Sequence, residues 1–96
     1  MFQEPYTNKI TIYSKSGCPN CIKVKDFLKS KKVIFEIVSC DDYLLDHKEE
    51  FIKFISEKAN KVCTSFPIVF DGNKYIGGLN ETKIHIEKVL DFGLDF

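Results

Sequence analysis

The sequence predicts an α/β domain, a four-stranded mixed sheet flanked by three helices in the order β-α-β-α-β-β-α. Three observations predict it. Short runs rich in β-branched and aromatic residues recur along the chain. The first two are joined by a segment with helical apolar spacing, which makes them parallel with a right-handed crossover. The last two are separated by Asp71-Gly72-Asn73, a hairpin signal that makes them antiparallel. The 96 residues suffice for one modest core and not for two, so residues 1–96 are read as one domain, with residues 1–8 as an N-terminal tail.

Taken in order, Lys9–Ser14 (KITIYS) alternates as a strand does. The following SGCPNC leads into IKVKDFLKSKK, a helix with Ile22, Val24, Phe27 and Leu28 as its apolar positions. Pro19 suits its first turn, where no backbone donor is needed. Val33–Ser39 (VIFEIVS) is a nearly continuous apolar run, as expected of a strand covered on both faces. Leu44–Asn60 carries Leu44, Leu45, Phe51, Ile52, Ile55 and Ala59 on one helical face, with Lys and Glu opposite. Thr64-Ser65-Phe66-Pro67 breaks the pattern before a strand at Ile68–Phe70. A short strand at Lys74–Ile76 ends at Gly77-Gly78, and from about Asn80 a last helix turns Ile86, Val89 and Leu90 inward.

Composition removes several classes of function. Fourteen basic and fourteen acidic residues give a formal charge of zero, which offers no electrostatic case for nucleic acid or an anionic membrane. No apolar run approaches the roughly 18 residues that span a bilayer. The opening MFQEPYTNK shows neither a basic nor an apolar signal region, so the reducing cytosol is the expected location.

In such a compartment a CxxC pair is catalytic or metal-binding more often than structural. Cys18 and Cys21 fall at a strand end and a helix start, and that position has chemical content. The unpaired N–H groups and partial positive charge of a first helical turn stabilise a thiolate over a thiol. Lys15 adds a cation nearby. CxxC cysteines at helix N-termini reach pKa values of about 3.5–7.5, against about 8.5 for a free thiol. A depressed pKa is therefore expected for Cys18, with Cys21 one turn inward as the resolving thiol. Zinc would need a second pair of ligands close by, whereas Cys40, Cys63, His47 and His85 are isolated singles. A purely structural bridge across CxxC would close a very small loop and stabilise little.

The chain resembles the glutaredoxins, within the thioredoxin-fold superfamily, from about Lys9 to Leu90. The resemblance rests on three segments in order. YSKSGCPNC is similar to the family's YSK–x–x–C–P–x–C, SFPIVF to its TVP–x–I/V–F, and Tyr75-Ile76-Gly77-Gly78 to its late glycine pair. It implies a thioredoxin-like fold and a glutathione-dependent thiol–disulfide oxidoreductase. Glutathione is then the co-substrate, and no prosthetic group is needed.

Site roles follow from the same resemblance. Cys18 and Cys21 are implied as the catalytic pair. Pro67 is implied to be cis, with the Phe66 backbone holding the cysteine of glutathione. Lys15 is implied to meet a glutathione carboxylate, and Gly77-Gly78 to allow close backbone approach. Asn80, as a helix cap, and Glu81 are implied to hold the γ-glutamyl end. Glutathionylated or disulfide-containing client proteins are the implied partners, ribonucleotide reductase among the clients plausible for the family, with the chain acting as a monomer.

Some positions depart from the family pattern. Asn20 stands where Tyr is common, Lys61-Val62 replaces Thr-Gly, and only a rough alignment offers Lys53 for the glycyl carboxylate. Two other readings therefore stay open. One is a thioredoxin-like redoxin recharged by a flavin reductase. The other is a dimer that binds an iron–sulfur cluster through Cys18 and glutathione.

Overall fold

The computed structural model describes residues 2–94, with side chains through Leu90. The elements are β1 (Ile10–Ser14), α1 (Pro19–Ser30), β2 (Phe35–Ser39), α2 (Asp41–Asp46), α3 (Lys48–Ala59), β3 (Ile68–Asp71), β4 (Lys74–Gly77) and α4 (Leu79–Leu94). The strands form one mixed sheet in the order β2-β1-β3-β4. β1 pairs parallel with β2 and antiparallel with β3, and β3 pairs antiparallel with β4. This is the thioredoxin-like arrangement expected.

The period of two along the strands divides the core into two layers. Ile10, Ile12 and Val69 meet Val24 and Leu28 of α1 and Ile86 of α4. Tyr13, Ile68 and Phe70 face the other way, onto Phe51 and Ile55 of α3 with Val38, Cys40 and Cys63. Every residue of β1 is buried, because β1 lies inside the sheet with helices over both faces.

Four details differ from the sequence expectation. The single helix expected over Leu44–Asn60 is two helices, so the chain has four helices among the described residues. The first starts at Asp41, where Asp41 and Asp42 complement the positive end of the helix dipole. His47, at φ −142° and ψ 45°, leaves the helical region and separates α2 from α3, and Asn60 in the left-handed conformation ends α3. β2 is an edge strand rather than one covered on both faces, and Ile37 remains 48% exposed. In α1 Ile22 is exposed, and in α4 only Ile86 of the three expected residues is buried, Val89 being 51% exposed. Finally, residues 2–6 are docked on the domain. Phe2 packs edge-on against Tyr43 and Phe51, the Tyr13 hydroxyl donates to the Gln3 carbonyl at 2.7 Å, and the Tyr6 N–H donates to Thr11 Oγ1 at 2.9 Å.

Candidate active site

Cys18 is the N-cap of α1, in extended conformation (φ −114°, ψ 100°), followed by Pro19 in the first turn. Its Sγ accepts a hydrogen bond from the Cys21 N–H at 3.1 Å, one of the donors that a helix start leaves unpaired. The two cysteines form a disulfide, with Cα atoms 5.2 Å apart. Cys18 is 7% exposed and Cys21 1%, so the outer sulfur is the one a substrate reaches. Opening this bond frees a thiol at a position that suits a thiolate.

The loop leading to Cys18 is held from across the sheet end. Asp41, the first residue of α2, accepts from the Ser16 N–H at 2.8 Å and from the Ser16 hydroxyl at 2.5 Å. The Ser16 hydroxyl, and then its N–H, lower the Asp41 carboxyl below its ordinary range. Lys15, next in the chain, extends its ammonium over the Phe66 ring, 5.6 Å from the centroid. Phe66 in turn precedes Pro67, and the bond between them is cis, as the resemblance implied.

Two hollows meet at this point. One, of about 380 Å³, contains Lys15, Cys18, Pro19 and Asn20 and is walled by Thr64, Ser65 and Phe66. The other, of about 570 Å³, shares Asn20, Thr64, Ser65 and Phe66 with the first and continues past Pro67 to Gly78, Asn80 and Glu81. Lys15, Cys18, Phe66, Pro67, Gly78, Asn80 and Glu81 thus lie along these two adjoining hollows, while Cys21 is buried and bonded to Cys18 and Gly77 lines neither hollow.

At the far end the cap of the last helix differs from expectation. The α4 helix starts at Leu79, so Asn80 is its second residue and Gly78 is the cap, its carbonyl accepting from the Thr82 N–H at 3.0 Å. Glu81 reaches back so that its Oε1 accepts from the Gly78 N–H at 2.9 Å, the return half of a capping box. This fold-back lies directly over Gly77, where an added Cβ would stand 2.7 Å from Glu81 Cβ. Gly77 has φ +137°, a backbone conformation that side chains rarely adopt. Close packing of the glycine pair thus serves the cap itself.

Lys23 of α1 and Lys61 also line the larger hollow. Lys53, the rough candidate for a carboxylate contact, does not line either hollow; Lys15, Lys23 and Lys61 are the lysines that do. Cys63 shares the hollow with Tyr75, but burial raises its thiol pKa despite the Tyr75 hydroxyl, and burial pushes Cys40 to about 12. Both thiols are protonated at neutral pH and therefore weak nucleophiles. No group of three or more metal-ligating side chains occurs among the described residues, and no helix there is long and apolar enough to cross a membrane.

Known proteins share this arrangement. The family model for glutaredoxin matches residues 10–76. Glutaredoxin 1 of Rickettsia typhi is 35% identical over 72 residues, which cover 75% of this chain and 64% of that protein, so the chain spans just under two thirds of that relative. Glutaredoxin 1 of Rickettsia felis is 31% identical over 87 residues, covering 85% of this chain and 80% of the relative. Among solved structures, glutaredoxin 1 from Francisella tularensis in complex with cacodylate superposes with a TM-score of 0.74 at 28% identity, over 86% of this chain and 96% of that one. A CxxC pair at a helix start, a cis proline beside it and these matches together place the chain in the glutaredoxin family of thiol–disulfide oxidoreductases.

Proposed function

We propose that this protein is a dithiol glutaredoxin that reduces glutathione mixed disulfides and protein disulfides in the cytosol, with glutathione as the electron donor. The observation that carries the reading is the position of Cys18: N-cap of α1, partnered by the Cys21 N–H and bonded to a sulfur buried beneath it.

In the reduced enzyme the Cys18 thiolate attacks the glutathionyl sulfur of a mixed disulfide, and the client thiolate leaves. A second glutathione thiolate attacks the glutathionyl sulfur on Cys18, releasing glutathione disulfide and restoring the Cys18 thiolate. With a protein disulfide, Cys18 becomes linked to one client sulfur. Cys21 then attacks the Cys18 sulfur, frees the second client thiol and leaves the Cys18–Cys21 disulfide. Two glutathiones reduce that disulfide, and potentials of about −200 to −230 mV suit the exchange.

The groove supports glutathione as the ligand. Phe66 beside the cis Pro67 offers backbone groups next to Cys18, and Lys15 offers a cation at the sulfur end. At the other end α4 begins with Leu79 and Asn80, whose N–H groups suit a carboxylate. Glu81 Oε1 is taken by Gly78, and the second carboxylate oxygen is the one we assign to the glutamyl ammonium. Lys23 and Lys61 add positive charge along the wall.

The test is turnover of a glutathione mixed disulfide, coupled to glutathione reductase, for wild type, Cys18→Ser and Cys21→Ser. Activity is expected to vanish with Cys18→Ser and to persist with Cys21→Ser. Wild type that is inert with glutathione yet is recycled by a flavin-dependent thioredoxin reductase would overturn the assignment.

A further inference from the structure

The zero net charge conceals a segregation of charge between the two helical layers. From Asp41 to Ala59 the α2–α3 layer carries six carboxylates and three lysines. From Pro19 to Lys32, α1 and its exit carry five lysines with Asp26 as the one carboxylate. The ion pairs among the described residues are Lys9–Glu36, Lys58–Glu4, His47–Glu50 and His85–Asp71. None involves a lysine of α1 or its exit, Lys61 or Lys83.

These cations are also arranged in space. Lys61 and Lys23 line the larger hollow, which meets the hollow of Cys18 at Asn20 and Thr64–Phe66. One helical turn beyond Lys23, Phe27 carries two ammoniums on its ring, Lys31 from the end of α1 at 5.8 Å and Lys83 from α4 at 5.9 Å. The result is a ridge of lysines that starts in the groove, where Glu81 also lies, and runs along the α1–α4 seam, none of them ion-paired among the described residues. Like charges within about a Debye length repel one another, and an anionic chain laid over them relieves that repulsion and is drawn in faster.

We infer that Lys61, Lys23, Lys83 and Lys31 form a docking ridge for client polypeptides whose reactive cysteine is flanked by an extended Asp/Glu-rich segment. The inference rests on the proposed reaction at Cys18 and adds a rule of client choice. A client is favoured over other polyanions because the ridge opens at the sulfur. The docked cysteine would present its disulfide to Cys18 while its acidic flank lay across the seam.

The experiment uses three glutathionylated peptides with acidic, neutral and basic flanks, assayed with wild type and with the K31E/K83E and K31Q/K83Q variants. Both positions lie outside the groove in which glutathione is placed. Wild type should favour the acidic over the basic peptide by roughly tenfold in kcat/KM, an advantage that shrinks with added salt. K31E/K83E should abolish or invert the preference, K31Q/K83Q should reduce it partway, and both should leave the neutral peptide unchanged. Equal rates for the three peptides with wild type, or an equal loss on all three in the variants, would overturn the inference. Inactivity of wild type toward every peptide would instead overturn the redox reading, and the docking rule with it.

Discussion

Replacing Gly77 by Ala tests the geometry that closes the far end of the groove. Two costs are visible there. The residue has φ +137°, and holding a side chain in such a region costs about 1–3 kcal/mol. The new methyl would also meet Glu81 Cβ at 2.7 Å and Cγ at 2.8 Å, so Glu81 must swing away and release the Gly78 N–H. Losing a cap costs about 1 kcal/mol. Together these give roughly 2–4 kcal/mol, and with a urea slope of about 1–1.5 kcal/mol/M the midpoint should fall by roughly 1.3–4 M. Gly17→Ala is the control. Gly17 is also left-handed, at φ +68°, but no atom lies within 4 Å of its added Cβ, so only the backbone cost of about 1–2 kcal/mol applies. Both variants are to be unfolded in the oxidised form, so that the disulfide is common to them. If Gly77→Ala costs no more than Gly17→Ala, the contact with Glu81 does not constrain the start of α4, and the account of this end of the groove is wrong.

Three further outcomes are expected. Alkylation of the reduced native protein at pH 8 should label Cys18 first and spare Cys40, whose burial holds its pKa at about 12, until the chain unfolds; peptide mass mapping showing Cys40 labelled as fast as Cys18 would contradict this. Asp41 has a folded pKa below its ordinary 3.8, so the stability it confers is present above that value and is lost as pH falls through the lower, folded one. The stability gap between wild type and Asp41→Ala, read from thermal unfolding, should accordingly be widest near neutral pH and narrow below 3.8, and a gap that widens in acid would refute the Ser16 clamp. Phe2→Ala should destabilise by roughly 1–2 kcal/mol, below the 3–5 kcal/mol of a fully buried Phe because this ring is only half-buried. An unchanged urea midpoint would mean that residues 2–6 contribute nothing to the fold.

The features legible in the sequence were those written in local pattern. Alternation marked β1, an Asp-Gly-Asn turn marked the hairpin, and helical spacing after a CxxC marked α1 with Cys18 at its start. What escaped was set by tertiary position. An apolar run cannot state its place in a sheet, so VIFEIVS read as a covered strand although it forms the edge. The break at His47 has no Pro or Gly to announce it. Phe2, a lone apolar side chain before Gln-Glu-Pro, has no periodicity to reveal that it completes the α2–α3 layer. Asn80 looked like a cap because Asn favours caps, whereas Gly78 takes that place and Glu81 supplies the side chain. Lys23 and Lys61, 38 positions apart, become neighbours in one hollow only once α1 and the Lys61–Pro67 segment meet.

The most direct test of the central claim is the identity of the covalent intermediate. Reduced Cys21→Ser protein, mixed with a glutathionylated peptide and quenched with acid, should show by intact mass a single glutathione adduct, mapped to Cys18, with the peptide released as free thiol. A peptide adduct on Cys18, or no adduct on it at all, would contradict a glutathione-selective nucleophile at the start of α1.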